Sequence, residues 1–410
     1  MPRSLSDTNI IAINAGSSSI KFAVFRLSDP LKRILRGKID RIGLPNTRLI
    51  FSNDHEENHG YRDLKAANHQ AATVFLIEWL EKQIGFGSIT AIGHRVVHGM
   101  DFADHQKVTD SLLQKLLEIS AYDPDHLPLE IELIKTFKQH HPDLPQAVCF
   151  DTVFHSGMPP VARILPLPRK YFDQGIKRYG FHGLSYTYLM KELSRRVGEA
   201  NSNGRVIIAH LGNGASLAAI KNGRSIDTSM GFTPASGLVM GTRPGDLDPG
   251  VAWYLMKVEK LSPQEYNNLI NHQSGLKGVS GNSSDMRDLL DSQASDYQAA
   301  EAVELFCYQA RKWIGAYAAV LDGLDILVFA GGIGESSSEI RRRICSGLGF
   351  LGIDIDEARN DNNAEIISQA KSPVQVHVMH TDEESVIAKA ACRVLNISLG
   401  KGSYHENVKG

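Results

Sequence analysis

The chain has 410 residues, 42% of them hydrophobic and 22% charged, with a formal net charge of -2. That length calls for two domains, or one domain duplicated, rather than a single core. The near-neutral balance gives no reason to expect nucleic acid or an anionic membrane as a partner, so any anion site must be local.

The N-terminal stretch, Met1–Thr8, is short and polar and lacks the form of a signal peptide. No later run approaches the roughly 20 apolar residues of a membrane helix, and a cytoplasmic protein is expected. The first element is a hairpin: Ile10–Ala15 and Ile20–Phe25 flank a Gly/Ser turn. Asn14, Ser17, Ser19 and Lys21 give this turn more hydrogen-bonding capacity than a turn requires, which suits a phosphate; a plain solvated turn is the alternative. His55–His59 spells H-E-x-x-H, but its flanks (Ser52-Asn53-Asp54 and Gly60) read as a turn, not the helix that zinc binding needs. Ala71–Gln83 has helical spacing, with Val74, Ile77 and Leu80 on one face.

Gly93–Gly99 places Arg95 inside an apolar, glycine-bounded run. Such an arginine either forms an internal ion pair or binds a carboxylate or phosphate. Asp151 ends the strand-like run Val148–Phe150 and is either a Mg²⁺ ligand or a cap. His182 (in Tyr179–Gly183) and His210 (in Ala209–Gly212) lie near glycines, which suits accessible imidazoles or plain structural ones.

About 200 residues after the first hairpin a similar one returns: Val206–Leu211, a small-residue turn Gly212–Ser216, then Leu217–Ile220. The spacing points to duplication. Gly241–Asp246 presents a second arginine, Arg243, on a polar loop. Ala299–Leu321 has helical spacing, and Asp325–Ala330 reads as a strand entering the glycine turn Gly331–Ser336. The tail Ser398–Gly410 is polar and expected to fray.

Cys149, Cys307, Cys345 and Cys392 are widely spaced in apolar stretches, which predicts small buried hydrophobes in a reducing compartment, not a zinc or disulfide framework. A P-loop is absent, the nearest fragment being Gly400–Ser403 in the tail. A phosphotransferase built on this chain would hold a nucleotide with three separate glycine turns.

These segments, in this order, resemble the acetate kinase family. The matches run through Asn14–Lys21, Gly93–Gly99, Phe150–Thr152, Tyr179–Gly183, His210–Ser216, Asp227–Pro234, Gly237–Asp248, Ser283–Arg287, Gly332–Glu335 and Thr381–Glu384, nearly the whole chain. The resemblance implies an α/β fold shared with sugar kinases, actin and Hsp70-type ATPases: two duplicated RNase H-like domains with the active site in the cleft between them. Residues 1–150 plus 386–410 would form one domain, the C-terminal helix returning to it, and residues 151–385 the other. It also implies a homodimer with ATP/ADP and acetate as substrates and Mg²⁺, or Mn²⁺ in its place, as cofactor.

By the same resemblance, Arg95 and Arg243 would bind acetate and the phosphoryl group. Asp151 and Glu383, with Asn14, would form the metal site. His182 and His210 would steady the transition state. Ser17, Ser19 and Lys21 would face phosphate, and Gly212, Asn213 and Gly214 would cradle the ATP phosphates beside His210. Asp285, Met286, Arg287, Gly332, Ile333 and Gly334 would line the nucleotide site. Val97, Phe181 and Pro234 would form the acyl pocket. An ionised acceptor needs no general base, which implies direct in-line transfer. The chain departs from the family pattern at Tyr122 and Tyr186, where histidines are common, at Ser236 in place of glutamate and at Met286 in place of phenylalanine. A propionate or butyrate kinase of the same family is the nearest rival reading, and an actin- or Hsp70-like ATPase a more distant one.

Overall fold

The computed structural model describes residues 8–16, 18–53 and 59–401. Ser17 and all of the His55–His59 stretch except His59 lie outside them. By internal contacts the chain divides into two compact units, residues 1–153 with 382–410 and residues 154–381.

The first unit opens with β1 (Asn9–Gly16) and β2 (Ser19–Arg26), paired antiparallel around the expected turn. Ile10, Ile11 and Ile13 are all buried, as a central strand covered on both faces requires. The chain continues through β3 (Ser28–Asp29), β4 (Lys32–Asp40), β5 (Arg48–Asn53) and β6 (His59–Asp63). The helix expected at Ala71–Gln83 is α1, His69–Ile84. Asn68 sets its start by accepting from the Ala71 amide, and Gly85, at φ 66°, ends it. Then come β7 (Ile89–Val96), β8 (Gln106–Lys107), α2 (Asp110–Glu118), α3 (Leu127–His140) and β9 (Gln146–Phe150). The eight-stranded sheet has the order β6-β5-β4-β2-β1-β7-β9-β8. Strands β7 and β9 run parallel to β1; β2 and β4 form an antiparallel meander on its other side. Phe22, Val24, Leu76 and Trp79 fill the core between the sheet and α1.

The second unit contains α4 (Gly183–Val197), β10 (Arg205–Leu211), β11 (Ala215–Lys221), β12 (Arg224–Thr228), α5 (Pro249–Lys257), α6 (Met286–Ser292) and α7 (Tyr297–Val320). These are followed by β13 (Ile326–Ala330), α8 (Gly331–Ser336), α9 (Ser338–Cys345) and β14 (Gln375–Val378). The long helix expected at Ala299–Leu321 starts two residues earlier because Asp296 accepts from the Gln298 and Ala299 amides. The sheet order is β12-β11-β10-β13-β14, with β11 and β12 antiparallel to their neighbours and β13 and β14 parallel to β10. Strands β4-β2-β1-β7-β9 of the first unit repeat this arrangement strand for strand. This is the duplicated RNase H-like α/β architecture. Its second core packs α4 residues Tyr186, Leu189 and Leu193 on Ile208 and Val328.

The chain then returns to the first unit with α10 (Glu383–Val394), which packs on β1, β7 and β9. A Cβ on Gly93 of β7 would lie 2.7 Å from Ile387 Cγ2, so glycine permits this close approach. The unit boundaries therefore differ from the expected 150/151 and 385/386. Asp151 and Glu383, assigned to the second domain by sequence, both belong to the first unit: one ends β9, the other opens α10. Of the tail expected to fray, residues 402–410 lie outside the described residues, and β15 (Gly400–Lys401) pairs in parallel with β3.

All four cysteines are buried free thiols. Among the described residues no helix is long and apolar enough to cross a membrane.

Candidate active site

In the first unit, the register of the opening hairpin sets Asn14 opposite Lys21. The Asn14 amide donates to Glu383 Oε2 at 2.8 Å and to Glu384 Oε1 at 3.3 Å. Arg95, near the end of β7, donates to Asp151 Oδ2 through Nε at 3.0 Å and Nη2 at 2.6 Å. Its Nη1 reaches Asn14 Oδ1 and the Ala15 carbonyl, each at 3.3 Å. Burial alone would lower the Arg95 pKa, but Asp151 and Glu383 outweigh it and hold the guanidinium firmly charged. The internal ion pair and the cationic group are thus one structure: Asp151 is fully buried, while the Arg95 side chain keeps 15% exposure. Lys21 is exposed and Ser19 half-buried on the same hairpin.

Glu130 of α3 was not evident as a site residue in the sequence. It is buried, and both its oxygens accept from the Val97 amide, at 3.2 and 3.1 Å. Burial pushes its pKa up to about 8 against the lowering effect of Arg95. Val97 itself is buried. Burial and the charge of Glu383 also raise Glu384. Glu130 becomes visible only when α3 is folded against β7, 33 residues away in sequence.

Among the described residues no three His, Cys, Asp or Glu side chains gather as a metal cage. Asp151 and Glu383 are nonetheless hard oxygen donors of one unit, both tied to Asn14, directly or through Arg95. Mg²⁺ commonly takes one or two carboxylates and completes its shell with water and substrate phosphates. The donor set fits that open mode.

In the second unit, His182 precedes α4 in a left-handed conformation, φ 60°. Its ring centroid is 4.5 Å from that of His210 on β10. A Cβ on Gly214 would lie 2.8 Å from Arg243 Nη2 and 3.4 Å from His182 Nε2, so Gly214, Arg243 and His182 converge. Arg243 also donates to the Pro234 carbonyl at 2.6 Å. His155, held neutral by burial with a pKa of about 4, contacts the Phe181 carbonyl at 3.1 Å and fixes the backbone leading to His182.

A cavity of about 720 Å³ in the same unit is lined by Gly212 and Asn213 after β10, Asp285, Met286 and Arg287 at the start of α6, and Gly332 and Ile333 in α8. Asp285 caps α6 and pairs with Arg287 at 2.7 Å. Gly331 enters α8 at φ 75°, where a Cβ would lie 2.6 Å from the Leu211 carbonyl oxygen. Gly334 does not line the cavity; it is buried in α8. Its carbonyl and that of Glu335 accept from fully buried Arg341 of α9, at 2.8 and 3.1 Å. No sequence motif marked Arg341.

The acetokinase family model matches residues 9–389. The acetate kinase of Oceanobacillus iheyensis is 40% identical over 398 residues, 95% of this chain and 100% of that protein. The propionate kinase of Citrobacter rodentium is 42% identical over 391 residues, 94% of this chain and 96% of that protein. The crystal structure of a propionate kinase from Francisella tularensis subsp. tularensis superposes with a TM-score of 0.87 at 36% identity, covering 93% of this chain and 98% of that one. With the repeated sheets, the glycine segments around the cavity and this similarity along nearly its whole length, the chain belongs to the acetokinase family.

Proposed function

We propose that the chain transfers the γ-phosphoryl group of ATP reversibly to acetate, giving acetyl phosphate and ADP. The observation that carries this reading is the cavity gathered from three separated segments, Gly212–Asn213, Ser284–Asp291 and Gly332–Ser337, in a member of a kinase family. A carboxylate oxygen of the acceptor attacks the γ-phosphorus in line, and the bond to the β–γ bridging oxygen breaks, its electron pair leaving with ADP. The acceptor is already ionised near neutral pH, so no proton is removed. Arg95 and Arg243 bind the acceptor and the transferring group. His182 and His210 donate hydrogen bonds as charge develops. Asp151 and Glu383, with Asn14 beside them, would hold Mg²⁺ (or Mn²⁺), whose charge offsets that of the phosphates. Val97, Phe181 and Pro234 contact the acyl group, and Ser17, Ser19 and Lys21 face phosphate.

The relatives' names divide between acetate and propionate, so propionate is the second reading. One methylene in an apolar pocket discriminates by only about 1–3 kcal/mol; kcat/KM for acetate, propionate and butyrate decides between them. A homodimer belongs to the same proposal. It is supported by α5, none of whose residues is buried, with Trp253 70% and Tyr254 54% exposed. A cytoplasmic setting is supported by four reduced thiols.

The test is a hydroxylamine trap with ATP, Mg²⁺ and acetate. Wild type is expected to give hydroxamate, and Arg95→Ala and Arg243→Ala to lose most of it. Full yield from both variants would refute the arginine roles. ATP turnover indifferent to added carboxylate, with no acyl phosphate, would favour an actin- or Hsp70-like ATPase instead.

A further inference from the structure

Behind His182 lies a short chain of hydroxyl groups. Its Nδ1 is 2.8 Å from Ser216 Oγ, and Ser216 Oγ is 2.5 Å from the Tyr186 hydroxyl. Ser216 and Tyr186 are both fully buried. A buried hydroxyl proton without an acceptor is costly, so the polarity of the chain is constrained.

If Tyr186 donates to Ser216 and Ser216 donates to Nδ1, every proton has an acceptor. If Nδ1 carries the proton and donates to Ser216, then either the Ser216 or the Tyr186 proton has no acceptor among the described residues. Burial raises the Tyr186 pKa well above its ordinary value, which keeps its proton in place to be donated. The neutral imidazole then carries its own proton on Nε2, the nitrogen facing the point where Gly214 and Arg243 converge.

We propose that Tyr186 is a positioning residue that, acting through Ser216, fixes His182 as the Nε2–H tautomer and so presents a hydrogen-bond donor beside Arg243. The outer member of this hydrogen-bonded chain is a phenol. A second imidazole could either give or accept a proton, whereas a buried phenol acts as a fixed donor. The tautomer follows from the hydrogen bonds alone. Its catalytic use, donation to an oxygen of the transferring phosphoryl group, rests on the phosphotransfer reading above.

Neutron diffraction from perdeuterated crystals of the whole chain reads the tautomer without reference to activity. The expected map has deuterium on His182 Nε2, none on Nδ1, and the Tyr186 deuteron directed at Ser216 Oγ. Deuterium on Nδ1 would overturn the proposal. Tyr186→Phe keeps the ring in its buried slot and removes only the hydroxyl. Its kcat is expected to fall about tenfold, the worth of one hydrogen bond lost in the transition state. Its KM for ATP should stay within about twofold, and its near-UV circular dichroism should remain native. Wild-type kcat in Tyr186→Phe would equally overturn the proposal. Absence of acyl phosphate with the wild-type protein would sink the phosphotransfer reading but leave the neutron result standing.

Discussion

Asp151 accepts two hydrogen bonds from Arg95 through the same oxygen, Oδ2. The pair is mostly desolvated, and removing one partner leaves the other charge buried and uncompensated. Arg95→Ala should therefore cost about 3–5 kcal/mol of stability as well as activity. Urea denaturation checks this, and an unchanged midpoint would show that the pair contributes little to the folded state. Asp151→Asn, nearly isosteric, should lose hydroxamate formation with a smaller stability loss.

The cavity assigned to the nucleotide under the phosphotransfer proposal allows function and stability to be separated on neighbouring residues. Nothing lies within 4 Å of a Cβ built on Gly332, which lines the cavity. Gly332→Val should fold normally but raise the KM for ATP at least about tenfold by filling the space. Gly331→Ala, at φ 75° and 2.6 Å from the Leu211 carbonyl oxygen, should instead destabilise by about 1–3 kcal/mol. Thermal melts and ATP saturation curves on both variants distinguish these outcomes.

Glu130 has a pKa raised from 4.5 to about 8. A carboxyl group raised in the folded state binds its proton more tightly there than when unfolded. Its stabilising contribution is complete below about 4.5 and is lost as pH rises toward about 8. Relative to wild type, Glu130→Gln should gain stability as pH increases from 5 to 8; a constant difference across that range would contradict the shift.

Three buried histidines and half-buried His105 act in the opposite direction. Burial lowers His94, His105, His155 and His377 from 6.5 to about 4. Their contribution is complete above 6.5 and is lost as pH falls toward 4, because only the unfolded chain readily takes up those protons. Acid unfolding should steepen across that interval, and His94→Gln, which can still meet Gln146, should blunt it.

Glu383 is assigned to the metal site under the phosphotransfer proposal. Chelation should abolish hydroxamate formation and added Mg²⁺ or Mn²⁺ restore it. Glu383→Gln should raise the Mg²⁺ concentration needed for half-maximal rate about tenfold or more. An unaltered metal titration would remove Glu383 from the site.

Local patterns carried much of the fold into view. Apolar runs bounded by small residues marked both hairpins, and helical spacing marked α1 and α7 to within two residues, the error lying at Asn68 and Asp296, whose side chains set the starts. The glycine segments of the cavity were legible for the same reason, since such turns are written in consecutive residues. Glu130, Ser216 and Arg341 were not, because each acts on a backbone or side chain that is adjacent only after folding. Asp151 and Glu383 were singled out as candidates but assigned to the second domain, whereas both fall in the first unit: each sits where the chain crosses between units, and composition does not change there.

The return of α10 to β1, β7 and β9 has a consequence for synthesis. A ribosome must release the chain through Val394 before the sheet of the first unit can receive its covering helix, whereas residues 154–381 are all available earlier. The nascent chain would thus complete the unit of residues 154–381 first, with the strands of the first unit waiting, one apolar face open, for α10 to emerge.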